Sequence, residues 1–90
     1  MDITIAHNTQ AARFEAHVDG ELCECCYVRS GDMLTFTHTE VPAALGGRGI
    51  AAALVREALA WARANHLRVV PACSYVAAYM QRHPETLDLR

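Results

Sequence analysis

The chain has 90 residues, 52% hydrophobic and 20% charged, which fits a single globular domain over 1–90 with one core. A formal net charge of −2, from ten acids and eight arginines with no lysine, leaves no basic footprint for nucleic acid. The weakly polar stretches 49–55 and 69–78 are shorter than the roughly 18 apolar residues of a membrane span, and the start lacks the basic n-region of a signal peptide. A cytoplasmic protein with no membrane partner is expected. Cys23, Cys25 and Cys26 are too crowded to staple a fold, because neighbouring strand residues diverge or lie too far apart for disulfide geometry. With Cys73 or a histidine as the only remaining donors, zinc has no second well-placed pair. The cysteines therefore read as reduced strand-packing residues, and no metal is expected.

The first half reads as strands. A short run at 3–7 leads through an irregular connection to a strand at 13–18, which ends at Asp19-Gly20, a two-residue hairpin signal whose positions tolerate positive φ. A partner strand follows at 22–29, then a Ser30-Gly31-Asp32 turn and a strand at 33–41 that stops at Pro42. Strict alternation in that last strand puts Leu34, Phe36, His38 and Glu40 on one face and Thr35, Thr37 and Thr39 on the other. After a glycine-rich loop at 43–49, Ile50, Leu54, Ala58 and Trp61-Ala62 form the stripe of an amphipathic helix, with Asn65 as a left-handed cap. A β-branched strand at 67–72 and a helix capped by Ser74 and ended by His83-Pro84 complete the pattern, leaving a short docked or loose tail. The order β-β-β-β-α-β-α describes an α+β domain with a mixed, mostly antiparallel sheet. A right-handed crossover through the helix sets the last strand beside 33–41 and parallel to it.

The strongest chemical signal is the glycine-dense stretch 41–51 between strand and helix. Glycines let backbone N–H groups converge, and the helix start adds its unpaired N–H groups and positive dipole end, a combination that binds phosphates. It is neither the nucleoside triphosphate GxxxxGK[ST] pattern nor the dinucleotide GxGxxG pattern. His7, His17 and His66 share no spacing that defines a site and read as surface or structural histidines, and Arg56 and Arg63 with Glu57 as a solvated helix face.

HTEVP at 38–42, GGRGIA at 46–51, VVPACSYV at 69–76, Tyr79 and RHPE at 82–85 together resemble the GNAT superfamily of acetyl-CoA-dependent N-acetyltransferases. More narrowly, they resemble its small single-domain members that lack the first two helices. The resemblance runs from about 7 to 89 and implies a minimal GNAT-like fold whose sheet splays after Val41 to admit acetyl-CoA. The family's pyrophosphate loop, Q/R-x-x-G-x-G/A, aligns on Gly49 and Ala51. Gly46 then stands where a glutamine or arginine is usual, and that side-chain contact is lost. The amides of Gly47, Arg48, Gly49, Ile50 and Ala51 remain, Arg48 adds a charge, and Val41 matches the position whose backbone pairs with the pantetheine arm.

For the chemistry, the resemblance implies that Tyr79 protonates the departing thiolate, against a plain reading as a core aromatic. His38 and Glu40 are candidate bases or amine-binding groups, or simply solvated strand-end residues. Cys73, at a helix start that would stabilise a thiolate, is open to two readings: a nucleophile carrying an acetyl thioester, or a small apolar neighbour of the pantetheine thiol. Direct attack by the amine is the superfamily's usual route. The acceptor is an unspecified small molecule, peptide or protein amine, and the chain is expected to be a monomer or a weak homodimer paired at a strand edge. Two other classes stand beside this reading: a non-catalytic acyl-CoA binder or sensor, and a metal or redox protein built on the cysteine trio.

Overall fold

A computed structural model describes residues 3–90. Its strands are β1 (Ala6–Asn8), β2 (Arg13–Val18), β3 (Glu21–Ser30), β4 (Met33–Glu40) and β5 (Arg68–Pro71), and its helices are α1 (Ile50–Ala64) and α2 (Ser74–Arg82). Asp19 and Gly20 take φ of 52° and 77°, the left-handed pair that turns β2 into β3. The sheet order is β1-β2-β3-β4-β5, antiparallel until β5, which lies parallel to β4 as the crossover requires.

Alternation gives the sheet a dry face and a wet one. Phe14, Ala16, Cys23, Cys25, Tyr27, Leu34, Phe36 and Val69 are buried on the first, under Leu54, Val55, Ala58 and Ala62 of α1 and Val76 and Met80 of α2. The opposite face carries no helix among the described residues, and Val28 and Val70 flank Thr35 on it at 60% and 36% exposure.

Several local expectations change. The first strand is shorter than 3–7, because pairing with β2 starts at Ala6, while Ile3 and Ile5 still pack against the core. Cys26 pairs with His38 but Tyr27 with Phe36, so Thr37 bulges out of the ladder. The bulge reverses the alternation. His38 and Glu40 therefore leave the face of Leu34 and Phe36 for the open face, and Thr39 turns inward toward Cys25. At the end of α1 the left-handed residue is His66 (φ 56°), while Asn65 instead donates its side-chain amide to Trp61 O at 2.8 Å. Helix α2 is capped at Cys73 and not Ser74, which is its first helical residue. The tail is docked: Pro84–Leu89 forms a 3-10 helix held to α1 by the Arg63–Asp88 ion pair at 2.8 Å and by buried Leu89. Cys23 and Cys25 are core residues and Cys26 faces the other way, so the trio cannot converge on one ligand.

β1 is fastened by His7, whose ring stacks on Phe14 at 4.0 Å, meets Trp61 edge-on at 4.6 Å and places Nε2 2.6 Å from the Tyr27 hydroxyl. Burial holds the His7 pKa below its ordinary value of 6.5. As pH falls, the unfolded chain takes up this proton first, so His7's contribution is complete above pH 6.5 and fades through the window below it. The wild type is expected to lose melting temperature more steeply than His7→Gln as pH falls below about 6.5. Parallel curves from thermal unfolding would contradict that assignment.

Candidate active site

The parallel pairing of β4 with β5 covers only Met33–Phe36 against Arg68–Pro71. At its end the Ala72 N–H turns back onto Val70 O at 3.0 Å and the Cys73 N–H closes on Phe36 O at 2.8 Å. Beyond that point β4 continues through Thr37–Glu40, held by β3 alone, while the chain after Cys73 leaves as α2. The strands therefore part in a V with Cys73 at its base.

Inside the V, Cys73 Sγ donates to Thr39 Oγ1 at 3.5 Å, and Thr39 Oγ1 donates to Cys25 Sγ at 3.7 Å. Burial alone would push the Cys73 thiol up. The Thr39 hydroxyl and the backbone N–H groups of Val76 and Tyr75 at the start of α2 outweigh it and hold the pKa below the ordinary thiol value. Cys25, at the far end of the relay, is pushed up to about 12, mainly by burial. The two thiols are thus shifted in opposite directions from the ordinary value.

The glycine turn flanks the V. Buried Leu45 anchors a 3-10 turn over Ala43–Leu45, its N–H bonded to Pro42 O at 2.9 Å. Gly47 and Gly49 then adopt φ of 81° and 77°, and a Cβ at either would meet nothing within 4 Å. Helix α1 begins its bonding with Ala53 N–H to Gly49 O at 3.1 Å, so the N–H groups of Ile50, Ala51 and Ala52 precede its first internal bond. A cleft of about 270 Å³ lies against this turn, lined by Val41, Gly46, Gly47, Ile50 and Tyr75 among others.

The sequence-predicted residues divide among five places. Val41, Gly46, Gly47, Gly49, Ile50 and Ala51 share the cleft, and Cys73 sits at the base of the V. Arg48 turns away from it, its guanidinium 3.0 Å from the Asp19 carboxylate in an exposed ion pair. His38 and Glu40 lie on the open sheet face with Glu24, His38 Nε2 being 3.8 Å from Glu40 and 4.0 Å from Glu24. Tyr79 lines a separate groove between α1 and the C-terminal 3-10 helix. Thr39 and Tyr75 were missed. Strict alternation sent Thr39 to the wrong face, whereas Tyr75, just after the predicted cap of α2, was legible from its position.

A protein-family model described as GCN5-related N-acetyltransferase matches residues 13–89. The chain belongs to this family. The mouse protein NATD1 is 31% identical over 85 residues, covering 91% of this chain and 77% of its own length. The solution NMR structure of a GCN5-like candidate N-acetyltransferase from Staphylococcus aureus superposes with a TM-score of 0.77 at 24% identity. That match covers 96% of this chain and 85% of the other and shares the fold. The GNAT assignment and the mixed-sheet fold therefore hold, and the cysteine trio, split between the two faces of the sheet, does not form one ligand set.

Alkylation by iodoacetamide as a function of pH checks the thiol assignments. Cys73 is expected to react with the lowest midpoint, Cys25 to resist, and Thr39→Val to move the Cys73 midpoint upward. A Cys26 midpoint below that of Cys73 would contradict the ordering.

Proposed function

We propose that this GNAT-family chain is an acetyl-CoA-dependent N-acetyltransferase that moves an acetyl group directly to an amine. The observation that carries the reading is the cleft that brings the unbonded amides at the start of α1 together with Val41, just past β4, and Tyr75, in the first turn of α2. The N–H groups from Gly47 to Ala51 would hold the pyrophosphate, and the unpaired backbone at Val41, just beyond β4, would pair with the pantetheine arm. Because Gly46 offers no side chain, backbone and dipole carry the phosphate contact; Arg48 joins only by exchanging Asp19 for phosphate.

Acetyl-CoA supplies a thioester carbonyl: the amine nitrogen attacks it, the carbon–sulfur bond breaks, and the thiolate leaves and takes a proton. Tyr75 lines that cleft and is the better-placed donor for the thiolate, while Tyr79, the residue implied by resemblance, lies in another groove. Burial raises the Tyr79 pKa. His38 and Glu40, at the end of β4 on the open face, are proposed to receive the acceptor amine and take up its proton. Cys73 packs beside the thioester in this scheme. Its lowered pKa also suits the covalent alternative, in which Cys73 Sγ takes the acetyl group from CoA and the amine takes it from Cys73.

Gly49→Ala tests the cradle, since its Cβ enters open space where the ligand would lie, at a backbone strain of about 1–2 kcal/mol. It is expected to remain folded and to weaken acetyl-CoA by at least about tenfold in calorimetry; unchanged affinity would overturn the cradle. For the mechanism, Cys73→Ala should keep turnover within about threefold, and Tyr75→Phe should lower kcat more than Tyr79→Phe. Because the chain has no lysine, acetylation read by intact mass has few sites. A hydroxylamine-labile adduct that vanishes in Cys73→Ala would replace direct transfer with the thioester route. Saturable binding without transfer to any amine would instead support an acyl-CoA sensor.

A further inference from the structure

The open face of the sheet holds a cluster that the reaction above uses only in part. Alternation along β3 places Glu24 and Cys26 there, and the bulge at Thr37 brings His38 and Glu40 onto the same face. Glu40 then stands directly across from Glu24, and His38 across from Cys26. Like charges set directly opposite destabilise a strand pair unless a cation stands between them. Arg13 does not fill that place. Its Nε is bonded to Glu15 at 2.7 Å, and its Nη1 holds Glu24 Oε1 at 3.2 Å from the β2 side. The other oxygen of Glu24, Oε2, is left toward His38, whose Nε2 lies 4.0 Å from it and 3.8 Å from Glu40 Oε2.

These three side chains make a coordination set of mixed chemistry, an imidazole with two carboxylates. One donor atom from each lies within 4.8 Å of the other two. A point equidistant from three atoms about 4 Å apart is roughly 2.3 Å from each, a few tenths of an ångström beyond the bond lengths of about 2.0–2.2 Å that zinc makes to nitrogen and oxygen. His38 and Glu40 are exposed and free to close that difference, while Glu24, at 17% exposure, is oriented by Arg13 as an outer partner orients a metal ligand. Carboxylates alone would suit magnesium or calcium, and the imidazole shifts the preference to zinc and its neighbours. We propose that Glu24, His38 and Glu40 bind one divalent cation of zinc's ligand preference, with water completing the coordination. The ion cancels the two carboxylate charges that face each other across β3 and β4. Cys26 borders the site, but its sulfur is not among the converging atoms. The site goes beyond the acetyl-transfer reading and does not rest on it. Where that reading holds, the ion takes the lone pairs of His38 and Glu40 and competes with the acceptor amine, not with acetyl-CoA.

The test is a calorimetric titration of the chelator-treated full chain with Zn²⁺ alone, repeated by amide NMR. One ion per chain is expected, with saturable shifts centred on Glu24, His38 and Glu40. His38→Gln and Glu40→Gln should each weaken binding by at least about tenfold, while Cys26→Ser and Cys73→Ala change it less than about twofold. Both glutamine variants replace exposed side chains, so the fold is not at stake. Absence of saturable binding at millimolar Zn²⁺, or equal affinity in wild type, His38→Gln and Glu40→Gln, overturns the site. Loss of binding in Cys26→Ser with His38→Gln unaffected also overturns it, because the ion would then sit on thiols. Zn²⁺ binding is read without acetyl-CoA, so failure here leaves the acetyl-CoA reading standing, and failure of acetyl-CoA to bind leaves the metal site standing.

Discussion

One hydrogen bond, from the Cys73 N–H to Phe36 O at 2.8 Å, marks the place on which the site depends. It ends the parallel ladder of β4 and β5. Before it, Leu34 and Val69 share the core; after it, β4 runs on with one edge unpaired while the other chain turns into a helix. An unpaired strand edge is ordinarily a liability, and here it borders a cleft instead of a second strand. The helix that starts at this point turns its first N–H groups on Cys73, and the helix that starts across the cleft does the same for the glycine turn. Residues from the first turns of both helices, Ile50, Ala51 and Ala52 of one and Tyr75 of the other, thus line one cleft, where helix-start N–H groups rather than lysines are the donors on offer to an anion.

Fold and site were legible to different depths. Strand order and the parallel β5 followed from an Asp-Gly hairpin, a helix-period stripe and the handedness of crossovers, none of which depends on fine register. The glycine turn was legible because its composition declares its backbone. The bulge was not: Thr37 is an ordinary strand residue, and nothing in its type says that the ladder skips it. That one unpaired residue exchanged the places of Thr39 and His38, and with them the partner of Cys73. The left-handed residue after α1 shifted from Asn65 to His66 for a similar reason, since side-chain bonding to Trp61 O gave Asn65 another use. The family resemblance pointed to Cys73 and Val41 through their motifs, but it did not carry the rotation of each side chain.

The open sheet face is the second consequence of a small fold. Helices cover one side of the sheet; the other exposes Val28 and Val70 and gathers Glu24, His38 and Glu40 near the end of β4. Those side chains stand on the far side of the sheet from the helices that frame the cleft. An acceptor reaching the V from the open face would approach from the side opposite to a ligand lying on α1. Under the proposed function this arrangement would separate the two reactants without a second domain, and it ties the proposed roles of His38 and Glu40 to the same bulge that turned Thr39 inward.

The central claim is that the N–H groups at the start of α1 are reserved for a ligand. Hydrogen exchange at Ile50, Ala51 and Ala52, with and without saturating acetyl-CoA, tests it most directly. These amides lack an internal helical partner in the free chain and are expected to exchange at least about tenfold more slowly when the ligand is bound. Exchange unchanged at all three, with acetyl-CoA present well above the micromolar range, would contradict the account and leave the glycine turn as a connection between strand and helix.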